Sequence, residues 1–184
     1  MSGFTLKQTQ SDSGTEGKVY EYNVDSGHAT LLAPGDVVRV TGGASTEGKP
    51  QVDAATAGQS ITGIISAIKP NFVGEALTET GLVASTEGDV SVHVDPNSLF
   101  EVDVSNGPLV AADVGLNADC LPTAATKAGG ITVSNMTLNA TGKATTATLQ
   151  FRIVALLEDE DGTLGNRAIV RINNSTIRAG AAGV

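Results

Sequence analysis

The chain has 184 residues with 11 basic and 20 acidic side chains, a net charge of −9, which bounds it to one domain or two small ones and excludes a large multidomain enzyme. That acidity disfavours direct binding to nucleic acid or to an anionic membrane. Four Phe, two Tyr and no Trp leave the core to Val, Ile, Leu and Ala, while a hydrophobic share of 40% is too high for a disordered chain.

Residues 1–17 show no periodicity, although Phe4 and Leu6 stand in this otherwise polar stretch. Residues 18–24 put Tyr20, Tyr22 and Val24 on one face of a strand. After a Pro34–Gly35 turn, residues 36–41 put Val38 and Val40 on one face and Val37 and Arg39 on the other. Residues 61–68 form a more continuous apolar run, expected to be a strand covered on both faces and ended by Pro70–Asn71. Val90, Val92 and Val94 alternate with polar residues, Asp95–Ser98 reads as a turn, and Phe100, Val102 and Val104 alternate in the same way. The two runs are expected to form a hairpin.

Residues 106–178 hold the second unit. Its segment 123–148, rich in Thr, Ala, Gly and Asn, reads as an extended excursion with a strand at 131–138. Leu149, Phe151, Ile153, Ala155 and Leu157 share one face of a long strand, with Val154 and Leu156 on the other. An acidic loop, 158–166, turns the chain into 167–173, where Ala168, Val170 and Ile172 alternate with Ile169 and Arg171. The expected fold is all-β, with short strands in one or two compact sheets or barrels, extended arms and very little helix. Its expected divisions are an arm and first strand over 1–31, β units over 32–105 and 106–178, and a flexible tail over 179–184.

Motif chemistry is sparse. His28 lies in an Asp-Ser-Gly-His turn and His93 on the polar face of a strand, so both are expected to be solvated or strand-face residues rather than general bases. No Gly-x-Ser-x-Gly elbow occurs, and Cys120, the lone cysteine, excludes an intrachain disulfide and reads as a small buried hydrophobe. Gly142–Lys143 fails as a P-loop because Thr137 and Ala144 stand where Gly and Ser or Thr are needed. The acidic loop fails as an EF-hand, with Leu164 in place of the turn Gly and Val170 in place of the bidentate Glu, and is expected to be a solvated hairpin loop. No metal or other cofactor is expected. Ala44-Ser45-Thr46-Glu47-Gly48 recurs as Ala84-Ser85-Thr86-Glu87-Gly88, read here as one turn solution used twice. The N-terminus lacks a secretory apolar region and no run of 18 apolar residues could span a bilayer, so synthesis and folding in a cytoplasm are expected.

The strings Leu32-Ala33-Pro34-Gly35-Asp36-Val37-Val38, Ile61-Thr62-Gly63-Ile64-Ile65, Asp113-Val114-Gly115-Leu116-Asn117-Ala118-Asp119, Thr145 to Ile153 and Val170-Arg171-Ile172-Asn173-Asn174 occur in order. Together they resemble the head decoration, or cement, proteins of tailed bacteriophages, over residues 32–174. That resemblance implies a non-enzymatic virion protein that docks on the outer capsid surface, binds the phage major capsid protein and stabilises the shell, often as a homotrimer. The alternatives are a minor component of a tail, collar or fibre base, and a polysaccharide-binding surface domain, against which the scarcity of aromatics counts. Phe4 and Leu6, which a polar segment is not expected to bury locally, are the candidate capsid contacts. Val154, Leu156 and Leu157, on both faces of the C-terminal hairpin, are the candidate oligomer contacts.

Overall fold

The computed structural model describes residues 3–8, 18–69, 71–73, 76–128, 130–176 and the glycines at 180 and 183. It is all-β, with a single 3-10 turn at Ala111–Asp113 among the described residues. Five strands close a barrel: β2 (Val19–Val24), β3 (Val37–Ala44), β4 (Pro50–Ala54), β5 (Gly63–Ile68) and β8 (Gly88–His93), in the order β2-β4-β3-β5-β8. Against it lies a seven-stranded sheet. That sheet runs β10 (Asn117–Ala118), β15 (Phe151–Glu158), β16 (Leu164–Ile172), β9 (Leu99–Ser105), β14 (Thr137–Asn139) and β11 (Cys120–Leu121), with β1 (Thr5–Gln8) also paired to β9. Two small ribbons, β6 (Asn71–Val73) with β7 (Ala76–Glu79) and β12 (Thr126–Ala128) with β13 (Ile131–Val133), complete the strands.

Period-two alternation gives two strands a separate core on each face. Val38 and Ile65 point into the barrel with Val24, Leu32, Val52, Leu82, Val90 and Val92. Their neighbours Val37 and Ile64 point out of it and join Phe100, Val102, Phe151, Ile153, Val170 and Ile172 under the sheet. The two-sided covering expected of 61–68 is therefore present, one core to each face. Gly35, at φ +94°, makes the Pro34–Gly35 turn that delivers β3 to this position, a backbone region in which a side chain is strained.

Four expectations are corrected. First, β8 and β9 do not pair with each other: β8 pairs with β2 and β5, and β9 with β16, β14 and β1. The turn at Asp95–Ser98 does form, with the Asp95 carboxylate accepting from the Asn97 N–H at 3.0 Å and the Ser98 hydroxyl at 3.3 Å. It carries the chain from barrel to sheet. Secondly, the strand expected over 131–138 is broken between β13 and β14, where Ser134 and Met136 turn into the interior.

Thirdly, β15 carries a bulge: Ile153 faces Val170 and Ala155 faces Ile169, leaving Val154 as the extra residue. The bulge reverses the phase of every later side chain. Leu156, opposite Ala168, therefore packs on the core with Phe151 and Ile153, and Val154 is 37% exposed. Fourthly, Phe4 is buried at 3% exposure and stacks on Phe151 with ring centroids 4.6 Å apart. Leu6 packs beside it opposite Phe100. The polar N-terminal segment buries Phe4 and half-buries Leu6 because β1 pairs with β9, which puts a prebuilt apolar floor beneath them. The rest of the expected arm, 9–17, and most of the tail lie outside the described residues.

If β1 is part of the core, Phe4→Ala should cost about 3–5 kcal/mol and Ile64→Ala about 2–5 kcal/mol in urea denaturation. Both should act on one cooperative transition, because barrel and sheet share the residues concerned. A Phe4→Ala variant as stable as the wild type would show that the segment is dispensable.

Candidate interaction site

Among the described residues, the C-terminal hairpin leaves one strand edge open. β15 is paired to β16 along its length, but its other side meets β10 only at Phe151 and Arg152. One further step follows, where the Gly115 N–H donates to the Ile153 carbonyl and the Ile153 N–H to the Leu116 carbonyl, each at 2.9 Å. Beyond Ile153 no described strand covers the edge. Val154 is exposed there, with Val114 (41%) lining the same shallow cavity and Leu164 (52%) near the hairpin tip. Leu157, in register with Arg167, is half-buried.

The segment before β10 sets Val110 and Val114 facing outward. Leu109 is buried in the sheet core, and its N–H donates to the Gly165 carbonyl at 3.0 Å. A Cβ on Gly165 would lie 2.0 Å from the Leu109 oxygen, so only glycine admits this crossing. Asp113 then closes the 3-10 turn by accepting from the Val110 N–H at 2.8 Å and pairs with Lys143 at 3.2 Å. Val110, 57% exposed, is left on the outside. Sequence reading missed Val110, Val114 and Leu164; their signal was apolar residues inside turn-forming strings.

The other residues singled out in the sequence have structural employment. His28 is buried rather than solvated, its ring held between the Thr30 and Thr86 carbonyls at 2.9 and 3.0 Å. His93 is half-buried, with its ring tilted against Phe100. Cys120 lies in the sheet core, where burial, with the nearby Asp119 charge adding to it, pushes its thiol up to about 12. The acidic loop is built around Asp159, whose carboxylate accepts from the Asp161 and Thr163 N–H groups at 3.0 and 2.8 Å and from the Asn166 amide at 2.6 Å. The Asn166 bond, followed by that of Thr163, holds this carboxyl below the usual range.

The two copies of Ala-Ser-Thr-Glu-Gly do not fold alike. The first is the β3–β4 hairpin turn, with Gly48 at φ +80° and its N–H donating to the Ser45 carbonyl. In the second, Ser85 itself takes φ +61° and donates its N–H to the His28 carbonyl. The expectation of one turn used twice is therefore corrected. Yet Thr46, Glu47, Thr86 and Glu87 line a single cavity of about 360 Å³ at one end of the barrel. Its charges are internally satisfied: Lys49 pairs with Asp89 at 2.7 Å, Glu47 at 3.2 Å and Glu21 at 3.4 Å, and Lys69 with Asp89 at 3.3 Å. The Lys49 bond draws the Asp89 carboxyl below its ordinary value.

Asp36 is a buried carboxyl with a structural partner in each unit. It is 1% exposed, accepts from the Ser134 hydroxyl at 2.5 Å and the Ala33 N–H at 2.7 Å, and ties the barrel turn to the excursion before β14. Burial raises its pKa from 3.8 to about 6, against the lowering effect of those two bonds.

Fold and surfaces together define an all-β protein in which a closed barrel is braced by a sheet with an open edge. Compared with known proteins, the chain matches no family model, no curated protein and no solved structure.

Asp36 gives a pH dependence of defined sign. An unfolded carboxyl ionises near 3.8 and the folded one near 6, so the folded state binds the extra proton between those values and loses stability as pH rises through them. Relative to Asp36→Asn, the wild type should lose roughly 2 kcal/mol between pH 4 and pH 7. Thermal melts of both proteins across that range check it; parallel curves would refute the assignment.

Proposed function

We propose that this chain is a non-enzymatic structural protein of a bacteriophage virion. It binds the outer surface of the capsid, bridges major capsid protein subunits and stabilises the shell. The observation that carries the reading is the open β15 edge beyond Ile153, flanked by exposed Val110, Val114, Val154 and Leu164. Unpaired strand N–H and C=O groups beside apolar side chains suit a protein partner, which can add a strand and cover the patch. The class of partner comes from the ordered strings that resemble those of decoration proteins. Net charge −9 suits a surface facing solvent rather than packaged DNA.

Self-association takes the Val154 and Leu157 part of the hairpin, which leaves the exposed Val110 and Val114 segment beside it to the capsid, with Leu156 serving the chain's own core. A contact in which one copy's edge meets a different surface of the next closes at a three-fold axis as a homotrimer. Repetition over the lattice then adds avidity, so each contact need not be strong. Neither nucleic acid nor membrane is a partner in this reading, and the protein reaches the capsid from the host cytoplasm.

Adding the protein to stripped capsids should raise their rupture temperature, with hundreds of copies bound per particle by gel densitometry. Equal rupture temperatures would remove the stabilising role, and a few copies per particle would favour a tail, collar or fibre-base position. Val154→Asp should leave the β circular dichroism spectrum intact and shift the protein to monomer in sedimentation velocity. An unchanged oligomer would move the contact elsewhere.

A further inference from the structure

We propose a second binding site, for a neutral oligosaccharide, at the mouth of the barrel. Tyr20 and Tyr22 are the only tyrosines of the chain, which has no tryptophan. They stand two residues apart on β2, in register with Val92 and Val90 of β8, and so share the face that lines the barrel interior. The interior ends at Tyr22, which packs on the barrel core, and Tyr20, one step further out, is 56% exposed. Both line a cavity of about 370 Å³, within the ~300–1,000 Å³ range of ligand clefts, for which barrel mouths are a favoured place.

The walls of this cavity have the mixed character that a sugar ring requires. Val94 and Pro96 continue the apolar surface of the two phenol rings, and Lys18, Thr62, Asn97 and Thr176 bring ammonium, hydroxyl and amide groups to the same cavity. A pyranose presents an apolar C–H face and a belt of hydroxyls, so one face can lie on an aromatic ring while its edge meets polar groups. Tyrosine supplies such area at small conformational cost. The Asp95 carboxylate, occupied by the Asn97 N–H and the Ser98 hydroxyl, fixes the turn that forms one wall, which lessens the ordering cost of binding. A chain of net charge −9 disfavours polyanionic glycans, and one lysine does not make a phosphate site. Aromatic scarcity argued against sugar binding in the sequence; the fold instead buries Phe4, Phe100 and Phe151 and gathers both tyrosines at one opening.

This site is independent of the capsid contact, and it carries its own reporter. With no tryptophan and both tyrosines in the cavity, intrinsic tyrosine emission reads its occupancy directly. The intact protein is screened on an array of neutral hexose, N-acetylhexosamine and bacterial O-antigen oligosaccharides. Hits are titrated in solution, with a matched library of extended peptides as the second arm. The expected result is saturable change in tyrosine emission with at least one neutral oligosaccharide. Tyr20→Ala should weaken it by about tenfold or more and Tyr20→Phe should retain it, since the ring face carries the contact. Asn97→Ala, at the polar rim, should also weaken it, and circular dichroism should be unchanged in all three variants. No response to any oligosaccharide at 10 mM, a response to peptides alone, or sugar binding unaltered in Tyr20→Ala would overturn the proposal. Decoration of stripped capsids by Tyr20→Ala should match the wild type, so failure here is distinguishable from failure of the capsid reading.

Discussion

The structure depends on a wall with two apolar faces. Val37 and Val38 on β3, and Ile64 and Ile65 on β5, are sequence neighbours that belong to different cores, and each is at most 1% exposed. A five-stranded barrel of short strands has little interior, and a sheet with so few aromatics has little to bury on its own. Sharing a wall lets each supply what the other lacks, because the same backbone is desolvated once and carries apolar side chains on both sides. A polar residue at Val37 or Ile64 would leave the barrel interior intact and expose the floor of the sheet.

Polar groups reinforce that junction where the chain crosses it. Gln150, fully buried, donates to the Thr56 and Gln59 carbonyls of the barrel loop at 2.7 and 3.1 Å and accepts from the Cys120 N–H at 2.8 Å. Asp36 does the same from the barrel side through Ser134. On the far face of the sheet, Glu101 is buried between Lys7 of β1 and Arg167 of β16, ion pairs that join three neighbouring strands. A buried carboxylate is costly unless paired, so this arrangement fixes the register of β1 and sets a large penalty on losing either cation. The N-terminal strand is thus held by a stacked ring on one face and an ion pair on the other.

The two surfaces proposed for partners differ in kind because they lie at different terminations of the fold. At the hairpin edge a sheet stops, leaving backbone groups and exposed aliphatic side chains. At the barrel mouth a closed interior stops, leaving tyrosine rings and a rigid turn around a concavity. They occupy separate units, so use of one need not hinder use of the other.

Sequence alone determined the all-β class, the alternation of each long strand up to its bulge, the burial of Cys120 and the Pro34–Gly35 turn. These follow from local chemistry: period two, side-chain volume, and the φ that glycine permits. Tertiary structure decided the rest. Strands 90–94 and 100–104 looked like a hairpin, yet alternation does not say which strand an edge will meet. One extra residue at Val154 transferred Leu156 to the core, and no composition rule marks where a bulge will fall. Phe4 looked stranded in a polar segment until the pairing of β1 with β9 set it against Phe151 of β15, 147 residues away. Local pattern fixes which face of a strand is apolar, whereas the partner of that face is chosen by the global competition to bury it, and that is not written at any one position.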